Sequence, residues 1–326
     1  ISVVYNDIPS YFRPEQRLVI FIVSMLCLSP LLSGRYINTI KITTFHYASK
    51  FLIGITLLSF IGKVTGVYSG DNASGFSGIT NHSMTLGVVA GISLIYTLFI
   101  LTKKPINKKE KYRYCVVAFI TVFTLILAGS RGALIAAILG VLVFVFKENK
   151  GKFTKTIKNL VRLSILLALT APIWIQYTAR LIEKNITAES EVSITHSRDL
   201  IWNYRLIEFN ESPVIGIGLA SAKYGLINKV TGQNEPGSSW GAIFAQIGLF
   251  GGIPFLLLIL SYFHFLYIKK DINSNHSLLI GLLSFFAIHW ISEGYMLSAG
   301  GFEFFYAWLL LGVIQVKKDS SFNLLR

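Results

Sequence analysis

A chain of 326 residues that is 53% hydrophobic and only 14% charged is too apolar for a water-soluble globule, in which roughly 25% of residues are charged. The net charge of +14 would suit nucleic acid, but the cations sit in short segments between apolar runs, so nucleic acid is excluded as a partner. A mean hydropathy of +0.59 and repeated long apolar runs specify an all-α polytopic integral membrane protein instead.

In chain order the apolar runs give nine membrane spans, at about 18–32, 47–61, 84–101, 114–128, 132–146, 160–175, 240–267, 278–291 and 302–316, in one membrane domain over 1–326. The chain begins with Ile, and the expectation is that one or more spans precede it. Cys27 and Cys115 both fall in apolar spans, which suggests neither a disulfide nor a metal site. Orientation follows from the cations. With Ile1 outside, alternate segments gather 20 of the 30 Lys and Arg residues on the cytoplasmic side, Lys103 to Arg113 and Lys147 to Arg162 among them. The outer side then holds 63–82, a hinge at Ser130-Arg131, a large loop over 176–239, and 292–301.

On that outer side His82 stands at the mouth of the third span. The hinge Gly129-Ser130-Arg131-Gly132 follows between the fourth and fifth. Ser130 is a good N-cap for the fifth span, which puts Arg131 in its first turn. A cation there opposes both the helix dipole and the positive-inside rule. Such a residue calls for an anion, and the nearby N–H groups make a phosphate seat; the plainer reading is a snorkelling arginine.

The loop 176–239 contains an amphipathic helix at about 197–210, capped by Ser197 or Thr195 and followed by Pro213 and Gly216. Arg198, Trp202 and Arg205 share one face of it, and Leu200, Ile201, Leu206 and Ile207 line the opposite side. That first face reads either as an anion site with an apolar floor or as an interfacial helix meeting lipid headgroups. Beyond it come glycine-rich turns, the carboxylate of Glu235, and the hydroxyls of Ser238 and Ser239. His289 and Glu293 lie four apart at the outer end of the eighth span, a functional pair or a structural one.

Five stretches carry a resemblance: Ser77-Gly78-Ile79-Thr80-Asn81-His82-Ser83, Gly129 to Ala133, Arg198 to Trp202, Ser212-Pro213-Val214-Ile215-Gly216-Ile217-Gly218 and Gln246-Ile247-Gly248-Leu249-Phe250-Gly251. In this order around one large loop, the chain resembles the O-antigen ligase/polymerase superfamily with its Wzy-C membrane domain. The resemblance implies a GT-C-like helical bundle acting at the periplasmic face of the bacterial inner membrane, with no metal and no cofactor. It implies a glycan donor on undecaprenyl pyrophosphate, a sugar hydroxyl as acceptor, membrane lipids around it, and a chain-length regulator protein as an optional partner. Family arginines matching Arg131 and Arg198 would hold the pyrophosphate; the reading of the residues themselves adds Ser130, Arg205, Trp202, His82, His196, Ser238 and Ser239 as substrate contacts. Ligases of the family carry a histidine just before the span at Gln246, and here 237–245 has none. Either another group, such as Glu235, Glu293, His289 or His196, takes the proton, or base catalysis is weaker than in ligases, and the absence tilts the reading from ligase to polymerase.

Overall fold

The computed structural model describes residues 14–67, 71–72, 75–102, 107–149, 196–224, 227–228, 233–234, 237–268 and 274–323. Among them are nine helices: α1 (Pro14–Leu28), α2 (Arg35–Thr65), α3 (Ser83–Thr102), α4 (Lys108–Leu127), α5 (Arg131–Glu148), α6 (His196–Glu211), α7 (Ser239–Ile268), α8 (Ser274–Ser292) and α9 (Phe302–Asn323). Two hairpins of two-residue strands, β1 (Asp71–Asn72) with β2 (Gly75–Phe76) and β3 (Ile227–Asn228) with β4 (Gln233–Asn234), complete the set. Among the described residues four helices, α2, α3, α7 and α8, are long and apolar enough to cross a membrane. The expected span at 160–175 lies outside the described residues.

The chain forms two compact units. One comprises 46–191 and 266–288. Within it α3 is apolar all round, and accordingly most of its length is buried, from Leu86 to Thr97 without a break. Small residues let its neighbours close in. A Cβ at Gly91 would strike the Phe285 ring, and one at Gly140 would meet Ile95 and the carbonyl of Gly281. Near the start of α3, Phe76, Leu86 and Ala128 form a small apolar cluster. The start of α4 is fixed by Asn107, whose side chain accepts the Glu110 N–H at 2.7 Å.

The other unit comprises 1–45, 192–265 and 289–326. An aromatic run holds its helices: Trp240 of α7 meets Trp290 of α8 at 5.7 Å, Phe255 meets both Trp290 and Trp308 of α9, and Trp308 meets Phe21 of α1. Gly312 lets α9 lie directly on the last carbonyl of α1. Lys41, inside α2, is only 1% exposed. Its Nζ donates to the carbonyls of Ser29 and Leu32, both at 2.6 Å, and so caps the open end of α1.

In the same unit α7 is broken at Gly248, where φ is 61° and ψ is −166°. The break costs two helical hydrogen bonds, and the segment 213–218 supplies replacements. Ala245 and Gln246 carbonyls accept Ile217 and Gly218 N–H at 2.9 and 3.1 Å, while Leu249 and Phe250 N–H donate to Pro213 and Val214 carbonyls at 2.8 and 3.0 Å. Broken helices survive at membrane depth only where protein satisfies the freed backbone in this way. The stretches 212–218 and 246–251, both quoted above for the family resemblance, therefore bond to each other.

Candidate functional site

The helix α6 begins at His196, so Ser197 lies inside it and is not the cap expected from the sequence; Thr195 lies outside the described residues. Arg198 consequently stands in the first turn, where the dipole favours negative charge. The structure supplies one. Arg198 Nη2 donates to Glu293 Oε1 at 2.8 Å, with the two side chains 17% and 19% exposed. Glu293 follows immediately after α8, its N–H still bonded to the His289 carbonyl at 3.0 Å.

Two serines fix that corner. The Ser239 N–H and hydroxyl both donate to the Glu293 carbonyl, at 2.9 and 2.7 Å, and the same hydroxyl oxygen accepts the N–H of Tyr295 and Met296. Ser238 caps α7: its Oγ accepts the Gly241 N–H at 3.2 Å and donates to the Trp290 carbonyl at 3.1 Å. Both hydroxyls, expected to touch substrate, are thus spent on joining the start of α7 to the end of α8. His289 is 1% exposed, with Nδ1 bonded to the Tyr295 hydroxyl at 3.0 Å. Burial, then the carboxylates of Glu303 and Glu293, push the Tyr295 phenol well above its ordinary value, so Tyr295 stays neutral.

Arg205 is not on an anion-binding face. It is 2% exposed, in ion-pair contact with Glu208 at 2.8 Å, and donates to the Tyr224 carbonyl at 3.0 Å. Glu208 Oε1 in turn accepts the N–H of Lys223 and Tyr224 at 2.7 and 3.1 Å. Burial raises the Glu208 carboxyl and lowers the Arg205 guanidinium, and their mutual attraction opposes both shifts. The apolar side divides as well: Ile201 is buried against Gly237, while Leu200, Leu206 and Ile207 remain exposed. Trp202 lines a cavity of about 480 Å³ with Leu206, Phe209, Trp240, Phe244 and Leu249, walled almost entirely by apolar atoms.

In the other unit, the hinge folds as its residue types dictate. Gly129 ends α4 in the left-handed region at φ 66°, and Ser130 caps α5 by accepting the Ala133 N–H at 3.4 Å. Arg131 is then the first residue of α5, half-buried. Gly87 allows the hinge to press on α3 through Ser130 and Ala133. His82 is exposed, and its Nδ1 accepts the Met84 N–H at 3.2 Å, capping α3. Glu235 and the side chain of His196 lie outside the described residues.

Sequence reasoning named Arg198 and Glu293 without pairing them, and it named neither Glu208 nor Tyr295. The Arg205-to-Glu208 spacing of three was a readable signal; the Tyr295 contact, across a turn, was not. Among the described residues no group of three or more His, Cys, Asp or Glu is arranged to hold a metal ion.

Residues 116–256 match the O-antigen ligase family (Wzy_C). The matched stretch contains Arg131, Arg198 and both glycine motifs, while His82, His289 and Glu293 lie beyond it. No curated protein matches the chain. A solved structure described as "Structural coordination of polymerization and crosslinking by a peptidoglycan synthase complex" aligns at TM-score 0.48 and 15% identity, over 95% of this chain and 90% of that one.

Proposed function

Because the O-antigen ligase signature runs through residues 116–256, we propose that this protein is a membrane glycosyltransferase of the O-antigen ligase/polymerase type, and within that type a polymerase. It would move a growing glycan from undecaprenyl pyrophosphate to a sugar hydroxyl of a lipid-linked repeat unit, at the periplasmic face of the bacterial inner membrane. The observation that carries the reading is Arg198: a first-turn arginine, mostly enclosed, with a carboxylate on its guanidinium. That is a place built for an anion.

The chemistry suits it. The acceptor hydroxyl attacks the anomeric carbon, the bond from that carbon to the phosphate oxygen breaks, and the electron pair leaves on pyrophosphate while the hydroxyl proton passes to a base. A guanidinium placed at the leaving diphosphate binds it more strongly as its charge grows, which lowers the barrier. By the superfamily resemblance Arg131 would bind pyrophosphate as well. Either Arg131→Ala or Arg198→Ala should lower polymer formation about 10²- to 10³-fold with insertion intact, and either Lys variant should recover little, because a point charge cannot replace the fork. Wild-type ladders from the Ala variants would refute the assignment. For the base, Glu235→Gln, Glu293→Gln and His289→Gln are compared one at a time.

A ligase that transfers finished glycan to lipid A-core is the second reading, favoured by the description of the matched family. The absence of histidine from 237–245 supports the polymerase. Deleting the gene from a strain with smooth lipopolysaccharide should leave core bearing a single repeat unit; bare core would favour the ligase. Turnover of a polyprenyl-pyrophosphate glycan by purified protein in detergent, without compartments, would exclude a pure transporter.

A further inference from the structure

We infer that Glu293 is a tethered competitor for Arg198: its carboxylate occupies the guanidinium, lowers the affinity of every anion there, and so reserves the site for a ligand as strongly bound as a diphosphate. The inference rests on the reading that Arg198 grips pyrophosphate.

The geometry separates what is fixed from what can move. The Glu293 backbone is held at both of its polar groups, by Ser239 at the carbonyl and by the His289 carbonyl at the N–H. The next residues, Tyr295 and Met296, are tied to the same serine hydroxyl, and Tyr295 is tied again through His289. A turn of the Glu293 side chain therefore breaks this ion pair without moving the Glu293 backbone. At 17% and 19% exposure the two side chains are mostly enclosed yet still within reach of a ligand.

A carboxylate on so short a tether competes at an effective concentration of millimolar or above. An arginine at a membrane surface is surrounded by monoanionic phosphodiesters from lipid headgroups. Those bind weakly, and a common loss of affinity empties the site of them. A diphosphate brings more charge and paired oxygens for the guanidinium fork, so it displaces Glu293 and still binds. When the glycan has been transferred, the same carboxylate is in place to take Arg198 back and release the product. A merely structural pair would do the opposite: Glu293 would orient Arg198, and its loss would weaken anion binding.

The test is equilibrium binding of inorganic pyrophosphate to the purified full chain in nanodiscs of neutral lipid. Glu293→Gln should tighten binding about tenfold, corresponding to about 1.4 kcal/mol for the displaced pair. Glu293→Asp, which withdraws the carboxylate, should tighten it by less, and serves alone if the Gln variant does not fold. In the Arg198→Ala background the gain should vanish, because there is nothing left to compete for. With phosphatidylglycerol in the nanodiscs, Glu293→Gln should lose more pyrophosphate affinity than wild type does. Unchanged or weaker binding in the Glu293 variants overturns the inference, as does a gain that persists without Arg198. Equal binding by wild type and Arg198→Ala would instead overturn the parent reading of Arg198.

Discussion

Arg205 and Glu208 are 2% and 0% exposed, so neither charge is solvated and each depends on the other. Arg205→Ala should therefore cost about 3–5 kcal/mol, measured as thermal unfolding in detergent, because it strands a buried carboxylate. The double change Arg205→Met with Glu208→Leu should recover most of that loss. If the single variant were harmless, the pair would not be the buried clamp described. Arg198 differs in kind. Its pair with Glu293 is 17% and 19% exposed, and so within reach of solvent. The sequence could name both arginines as equal members of one helix face, since they lie seven apart. It could not assign their different fates, because burial is decided by the segment 220–224, which folds back over one end of α6 and leaves the first turn open.

That fold-back is itself a small electrostatic device. Glu211 accepts from Lys223 Nζ and from the Tyr224 hydroxyl, both at 2.7 Å, and Tyr224 stacks on Tyr204. The bonds from Lys223 and Tyr224 hold the Glu211 carboxyl below its ordinary value. A depressed carboxyl stabilises the fold above its unfolded value and loses that contribution as pH falls through the folded one. The clamp should thus be complete above the ordinary glutamate range, about 4.3, and loosen as pH falls below it. Tyr224 fluorescence or amide exchange across 220–224 would follow it, and Glu211→Gln should remove the transition. In α7 the decisive feature is Gly248. A Cβ there would run into the Val214 backbone, and one at Gly216 would run into that of Gln246. Gly248→Ala should cost about 3 kcal/mol through strain and lost backbone pairing, read as a lower unfolding midpoint. In sequence 216–218 was legible as punctuation by glycine, and 246–251 through the family resemblance. Their mutual pairing was not, because it joins segments about thirty residues apart through backbone groups that carry no residue identity.

For the molecule as a whole, the cation count proposes a topology that labelling can check. With Cys27 and Cys115 replaced by Ser, Asn81→Cys should react with an impermeant thiol reagent from the outside of intact cells. Lys109→Cys should react only after permeabilisation, since α3 and its 20 apolar-rich residues lie between the two positions. The reverse pattern would invert the chain and take the proposed periplasmic chemistry with it. What the sequence determined by itself was whatever depends on local composition. Apolar runs of membrane length must be helices, because lipid offers no partner for backbone groups. Gly129 and Ser130 must end one helix and start the next, and a first-turn arginine must await an anion. Only the tertiary structure decided which polar groups answer each other. It spent the hydroxyls of Ser238 and Ser239 on a helix junction, sank Arg205 against Glu208, and set Glu293 on Arg198. Those choices turn on distances between residues up to 95 positions apart, which hydrophobic periodicity does not encode.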